Sequence, residues 1–207
     1  MEQYSEWLRE SCVLANEVDV AGEFIYAAME KLDNMDDFEE IGDDFFFLYN
    51  LSVGIERIQK ALLIIINDVC GEKQLNEYLE TIKNHRHSSL HDKINDKIKI
   101  NISQEQRKLL EMLSDFYNKN RYTRLNFLSY KFEDRDNLKE YAVTYYNVKR
   151  YNYFFYPKSP INTDEVKECF GRIIGRLCQK YYDAIERESR KRKLYCDDLR
   201  GGSGIHS

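Results

Sequence analysis

Proline is nearly absent from this chain: Pro157 and Pro160 are the only two in 207 residues, and they sit three positions apart. Residues 1–156 therefore lack the one residue that cannot continue a helix. No sustained strand-type alternation of apolar and polar residues replaces it. Such a pattern predicts long helices packed as an all-α, antiparallel helical bundle of five to six members. The bundle is expected to occupy residues 1–195 as a single domain, with 196–207, containing Gly201-Gly-Ser-Gly204, as a flexible tail.

Composition agrees with a folded, water-facing chain: 43% hydrophobic and 32% charged residues are neither disorder-like nor membrane-like. The longest apolar run, Ala61 to Ile66, is far too short to cross a bilayer. Met1-Glu-Gln-Tyr-Ser-Glu6 lacks the basic start and apolar stretch of a secretion signal. The expectation is a cytoplasmic protein with no membrane partner. Five cysteines, an odd number without CxxC spacing, read as reduced thiols. Cys12, Cys70, Cys169 and Cys178 fall in apolar helical patterns and are expected to pack inside.

A net charge of −5 excludes a globally basic nucleic-acid binder. The sign varies along the chain, however. Residues 30–44 hold eight acidic residues and one lysine. Residues 83–99 hold four lysines, one arginine and three histidines against two aspartates. Each run is either a solvated helix face or a local phosphate-binding patch.

Apolar spacing places the first helix at about Ser5–Leu32 and the second at about Asp44–Val69, its Ala61–Ile66 turn apolar all round and hence central. Gly71 reads as its terminator. A third helix is expected over Glu72–His91. The fourth runs from Ser103 to about Tyr130, opened by the capping box Ser103-Gln-Glu-Gln106. The tyrosine-rich segment 137–156 reads as part helix, part extended. A last helix opens at Asn162 or Thr163 and runs to about Lys193.

The polar exceptions to these stripes carry the chemistry. On the third helix, Leu75, Leu79, Ile82 and Leu90 share a face, and Arg86 falls in its middle, where a guanidinium is costly unless paired or set at a cleft. His87 and His91, four apart, share a flank. HxxxH spacing can chelate zinc, but a closed site needs four ligands and no others are evident, so neither a metal nor a cofactor is expected. Asp92 could orient His91. On one unbroken helix Arg86 and His91 would point about 140° apart, so they converge only if the helix begins, ends or bends between them. The fourth helix carries Asn120 and Arg124 on its apolar stripe, with Arg121 beyond the edge. Glu56, at the margin of the second helix's buried face with Lys60 beyond it, is a candidate counterion for Arg86 or Arg121. Nucleotide-binding glycine loops and nucleophile elbows are missing from the sequence.

Three segments, in order, resemble the HEPN superfamily of helical-bundle proteins over about residues 44–190. Gly54-Ile-Glu-Arg-Ile-Gln-Lys-Ala-Leu-Leu63 is similar to the family's buried second helix. His85-Arg-His-Ser-Ser-Leu-His91 is similar to its histidine-containing segment, and Phe116-Tyr-Asn-Lys-Asn-Arg-Tyr122 to its Arg-Tyr helix. Catalytic members carry Arg-x4–6-His and cut RNA without a metal, usually as dimers. Arg86 and His91 have that spacing, and His87 stands where a polar residue is common. The resemblance implies that Arg86 holds the scissile phosphate and that His91 is the general acid or base. Glu56, Lys60, Asn120, Arg121, Tyr122 and Arg124 would then be binding residues. It further implies a homodimer, RNA as substrate, and a toxin or anti-phage role beside an antitoxin or other partner protein. Non-catalytic members place a histidine-leucine motif before the Arg-Tyr helix, and His87-Ser-Ser-Leu90 fits that as well, implying a module that binds nucleotide, RNA or a partner protein. A helical scaffold unrelated to the family is the third reading.

Overall fold

In the computed structural model, which describes residues 2–118, 133–146, 150–152, 157–160 and 162–194, the chain is a helical bundle. Seven helices lie among the described residues: α1 Glu2–Asp33, α2 Ile41–Ile66, α3 Gly71–Thr81, α4 His87–Lys97, α5 Gln104–Asn118, α6 Glu133–Tyr146 and α7 Asp164–Lys191. Between α6 and α7, β1 Arg150–Asn152 pairs antiparallel with β2 Pro157–Pro160, Tyr151 opposite Ser159. The expected tail, 196–207, lies outside the described residues.

The α1–α2 hairpin is the spine. Leu14, Val18, Ala21, Ile25, Ala28 and Leu32 are all buried, three and four apart, so one stripe of α1 faces inward. On α2, Phe47, Leu48, Leu51, Ile55, Ile58 and Leu62 are fully buried, each worth about 1.5–3 kcal/mol of hydrophobic transfer. The pairing is antiparallel: Lys31 meets Asp43 at 2.5 Å, and Glu17 meets Arg57 at 2.5 Å. Between them the helices approach closely at Gly54, where an added Cβ would stand 2.6 Å from Ile25 Cγ1 and 2.9 Å from the Ala21 carbonyl oxygen. Only glycine lets the backbones meet there.

α7 packs along α2, runs parallel to it, and also touches α1. Phe170 packs edge-on against Phe47 at 6.1 Å, Tyr181 meets Gln59, and Arg192, just past the helix, pairs with Asp68 at 2.6 Å. Thr163 caps α7 by accepting the Val166 N–H at 3.4 Å. α4 and α5 form a second antiparallel pair, tied at Ser88–Ser114 and Asp92–Arg107. The capping box on α5 is present in both directions, Ser103 N–H to Gln106 Oε1 at 3.1 Å and Gln106 N–H to Ser103 Oγ at 3.3 Å. Tyr141 and Tyr146 on α6 pack on Phe170 at 5.5 and 4.7 Å, and Tyr145 packs against the same core, so these three tyrosines serve packing.

Several expectations are corrected. The single third helix is two helices, α3 and α4, separated by residues 82–86. Asn84 Oδ1 accepts the Arg86 N–H at 3.1 Å, a local turn that competes with helix, and Asn118 reaches across from α5 to the His85 carbonyl at 2.9 Å. The supposed stripe on Leu75 and Leu79 is not a core face: α3 buries no residue. Gly71 does not end α2. Asp68 takes the left-handed conformation at φ 51°, and Gly71, at φ 74°, is the first residue of α3. The connector after α1 is acidic, as expected, and also buries Met35 and Phe38. Of the four cysteines expected inside, Cys178 alone is buried. Cys12 and Cys70 are exposed and Cys169 is intermediate, all four as free thiols.

Candidate functional site at the start of α4

The break before α4 decides the arrangement. Because the helix begins at His87, Arg86 is its N-cap, on extended backbone at φ −91°, ψ 92°. It therefore stands outside the stripe that an unbroken helix would give it, and its side chain is exposed. No carboxylate among the described residues pairs with it. The 140° separation between Arg86 and His91 does not apply, since the helix starts between them. Helix α4 also directs its positive end at this point; within that first turn, the Ser88 N–H is taken by Ser114 Oγ at 3.2 Å.

The histidines divide by environment. His87 is completely buried. Its Nε2 donates to the Ser52 carbonyl at 2.9 Å, and Nδ1 has no partner. Burial pushes its pKa down from 6.5 to about 4, with the Ser52 hydrogen bond opposing, so the ring is neutral. His91 is 3% exposed, and its Nδ1 lies 2.9 Å from the Tyr181 hydroxyl. Gln59 Nε2 donates to that same hydroxyl at 2.9 Å and to the His87 carbonyl at 3.0 Å. With Gln59 donating, the one phenolic proton goes to His91 Nδ1, and His91 carries its own proton on Nε2. Burial raises the Tyr181 pKa and lowers that of His91, which keeps both neutral. Asp92 does not orient His91: it makes a two-pronged pair with Arg107 at 2.5 and 3.0 Å, and that bond lowers its pKa.

His85 was not among the residues singled out from the sequence. Its side chain is 42% exposed and that of Glu56 only 11%. Nδ1 lies 2.8 and 3.0 Å from the two Glu56 carboxylate oxygens. Glu56 also binds Lys60 Nζ at 2.7 Å. Its partners are thus His85 and Lys60 rather than Arg86; Asn120, Arg121, Tyr122 and Arg124 lie outside the described residues. The His85 ring packs at 4.6 Å on Tyr117, which stacks in turn on Tyr49 at 6.3 Å. The signal for His85 was present in the basic cluster itself. A 29-residue separation from Glu56 and a loop in place of a helix hid the pairing.

No group of three or more His, Cys, Asp or Glu side chains suited to a metal occurs among the described residues. A cavity of about 360 Å³ lined by Met29, Leu32, Asp33, Asp164, Lys167 and Glu168 shares no residue with this site. None of the helices, among the described residues, is long and apolar enough to cross a membrane.

Compared with known proteins, the chain matches no protein-family model, no curated protein and no solved structure.

Proposed function

We propose that this protein is a HEPN-like, metal-independent endoribonuclease that binds single-stranded RNA at the start of α4 and acts as a toxin or anti-phage effector. One observation carries the reading: Arg86 is exposed at the α4 N-cap, without a carboxylate partner among the described residues, directly after a histidine held by Glu56. A guanidinium left free at the positive end of a helix is suited to a phosphate, which it grips through two parallel hydrogen bonds. A neighbouring imidazole supplies proton transfer to the ribose 2′-hydroxyl or from it. The resemblance to the HEPN superfamily gives the substrate class, the homodimer and the partner antitoxin, all parts of the proposal.

A second reading rests on its own observation. His91, the histidine at the family's catalytic spacing, is 3% exposed and bonded to Tyr181, as suits a module that binds RNA, nucleotide or a partner protein without cutting. Labelled single-stranded RNA incubated with the protein in EDTA separates the two. Cutting that falls by roughly 10²–10³-fold in Arg86→Ala, the range for loss of one transition-state charge donor, supports the ribonuclease. RNA retained but uncut by the wild type favours the binding module. Neither cutting nor retention defeats both.

A further inference from the structure

We infer that His85, oriented by Glu56, is the base of this site, in place of His91. The inference rests on the ribonuclease reading and names the residue that moves the proton.

Three observations converge on His85. The first is access. Its side chain is 42% exposed, whereas His91 is 3% and His87 0% exposed, and a base must reach the proton it removes. The second is the tautomer. A carboxylate only accepts hydrogen bonds, so the contacts from Nδ1 to Glu56 Oε2 and Oε1 at 2.8 and 3.0 Å require the proton on Nδ1. Neutral His85 then has a bare Nε2, free to accept. The carboxylate thus sits on the nitrogen opposite the Nε2 that would take the proton, the placement an acidic partner has beside a catalytic histidine. Lys60 Nζ binds the same carboxylate at 2.7 Å. His91 is set the opposite way: Tyr181 occupies its Nδ1 and leaves the proton on Nε2. The third is position. His85 and Arg86 are consecutive, so their Cα atoms are about 3.8 Å apart, and both stand at the start of α4, where the long Arg86 side chain is exposed. Tyr117 at 4.6 Å and the Asn118 hydrogen bond to the His85 carbonyl hold that ring and its backbone from the α5 side.

The step balances without a co-reactant other than water. His85 Nε2 takes the 2′-hydroxyl proton, the 2′-oxygen forms a bond to phosphorus, and the bond from phosphorus to the 5′-oxygen breaks. Water protonates the leaving oxygen, and the imidazolium returns its proton to the hydroxide so formed. The products are a 2′,3′-cyclic phosphate and a 5′-hydroxyl.

The test measures kcat and KM on a labelled single-stranded oligoribonucleotide in EDTA. His85→Ala is expected to lose roughly 10²–10⁴-fold in kcat, the usual contribution of a general base, with KM little changed, and added imidazole to restore part of the rate. Glu56→Gln is expected to keep the tautomer and lower kcat by about tenfold. Nitrogen NMR of the wild type, read independently of cutting, is expected to show the His85 proton on Nδ1. If His85→Ala cuts like the wild type while His91→Asn does not, or if the His85 proton sits on Nε2, His85 is not the base although the ribonuclease stands. A wild type that cuts no RNA removes the ribonuclease reading and this inference together.

Discussion

Residues 85–86 and residues 87 and 91 belong to one short segment, yet they occupy opposite environments. The first pair faces water, with a carboxylate on His85 and, among the described residues, none on Arg86. The second pair is buried in a network of Ser52, Gln59 and Tyr181. The difference shows that a cluster in sequence is not one site. The start of α4 divides it into a water-facing half and a structural half, because side chains from His87 onward follow the helix at about 100° per residue while Arg86 before it stands on extended backbone.

If the buried half is structural, damage to it should appear in stability. His87→Ala removes a filled core position and its hydrogen bond to the Ser52 carbonyl; the expected loss is about 3 kcal/mol, measured as a shift of the urea midpoint. A loss under about 0.5 kcal/mol would dissolve the contrast.

Acid should act on the same half. The folded pKa of His87 is about 4, below its ordinary 6.5, so between these values the unfolded chain binds a proton that the folded chain refuses. Stability from the neutral ring is therefore complete above pH 6.5, falls as pH drops, and levels off below about 4. The contribution is about 3 kcal/mol, and His91, also lowered, adds in the same direction. Urea titrations across this window should show the slope, and His87→Ala should flatten most of it.

Tyr181→Phe keeps the ring and deletes the hydroxyl that joins Gln59 to His91. About 1–2 kcal/mol should be lost, again by urea midpoint, with coupling to a Gln59 variant in a double-mutant cycle. Least of all, Arg86→Ala should change stability by no more than about 0.5 kcal/mol, since no described residue depends on it, while RNA cutting falls steeply. An Arg86 variant that unfolds would move that residue into the structural half.

Much of the bundle was legible because it is local. The three-four spacing from Leu14 to Leu32, the Ser103–Gln106 box and the Thr163 cap each act within one or two turns, and all are present. The break at residues 82–86 was hidden because tertiary groups enforce it: Asn118 from α5 and Glu56 from α2 hold His85 away from helix, and periodicity alone continues the apolar stripe through Arg86. For the same reason Arg86 read as lying on the core-facing stripe and is exposed. Glu56 and Lys60 were singled out, and they pair four apart within α2, but the pairing of Glu56 with His85 depends on contact across 29 residues of sequence. His91's partner, Tyr181, is 90 residues away, beyond any local pattern.

Gln59 gives the fold a mechanical property. One amide holds the first carbonyl of α4 and the hydroxyl of Tyr181 on α7, so three helices share a single fastener. A sliding of α7 along its axis cannot stay local: it must drag or release the first turn of α4, and with it the backbone that aims Arg86. Whatever grips the C-terminal helix from outside thereby has a lever on the histidine segment without touching it.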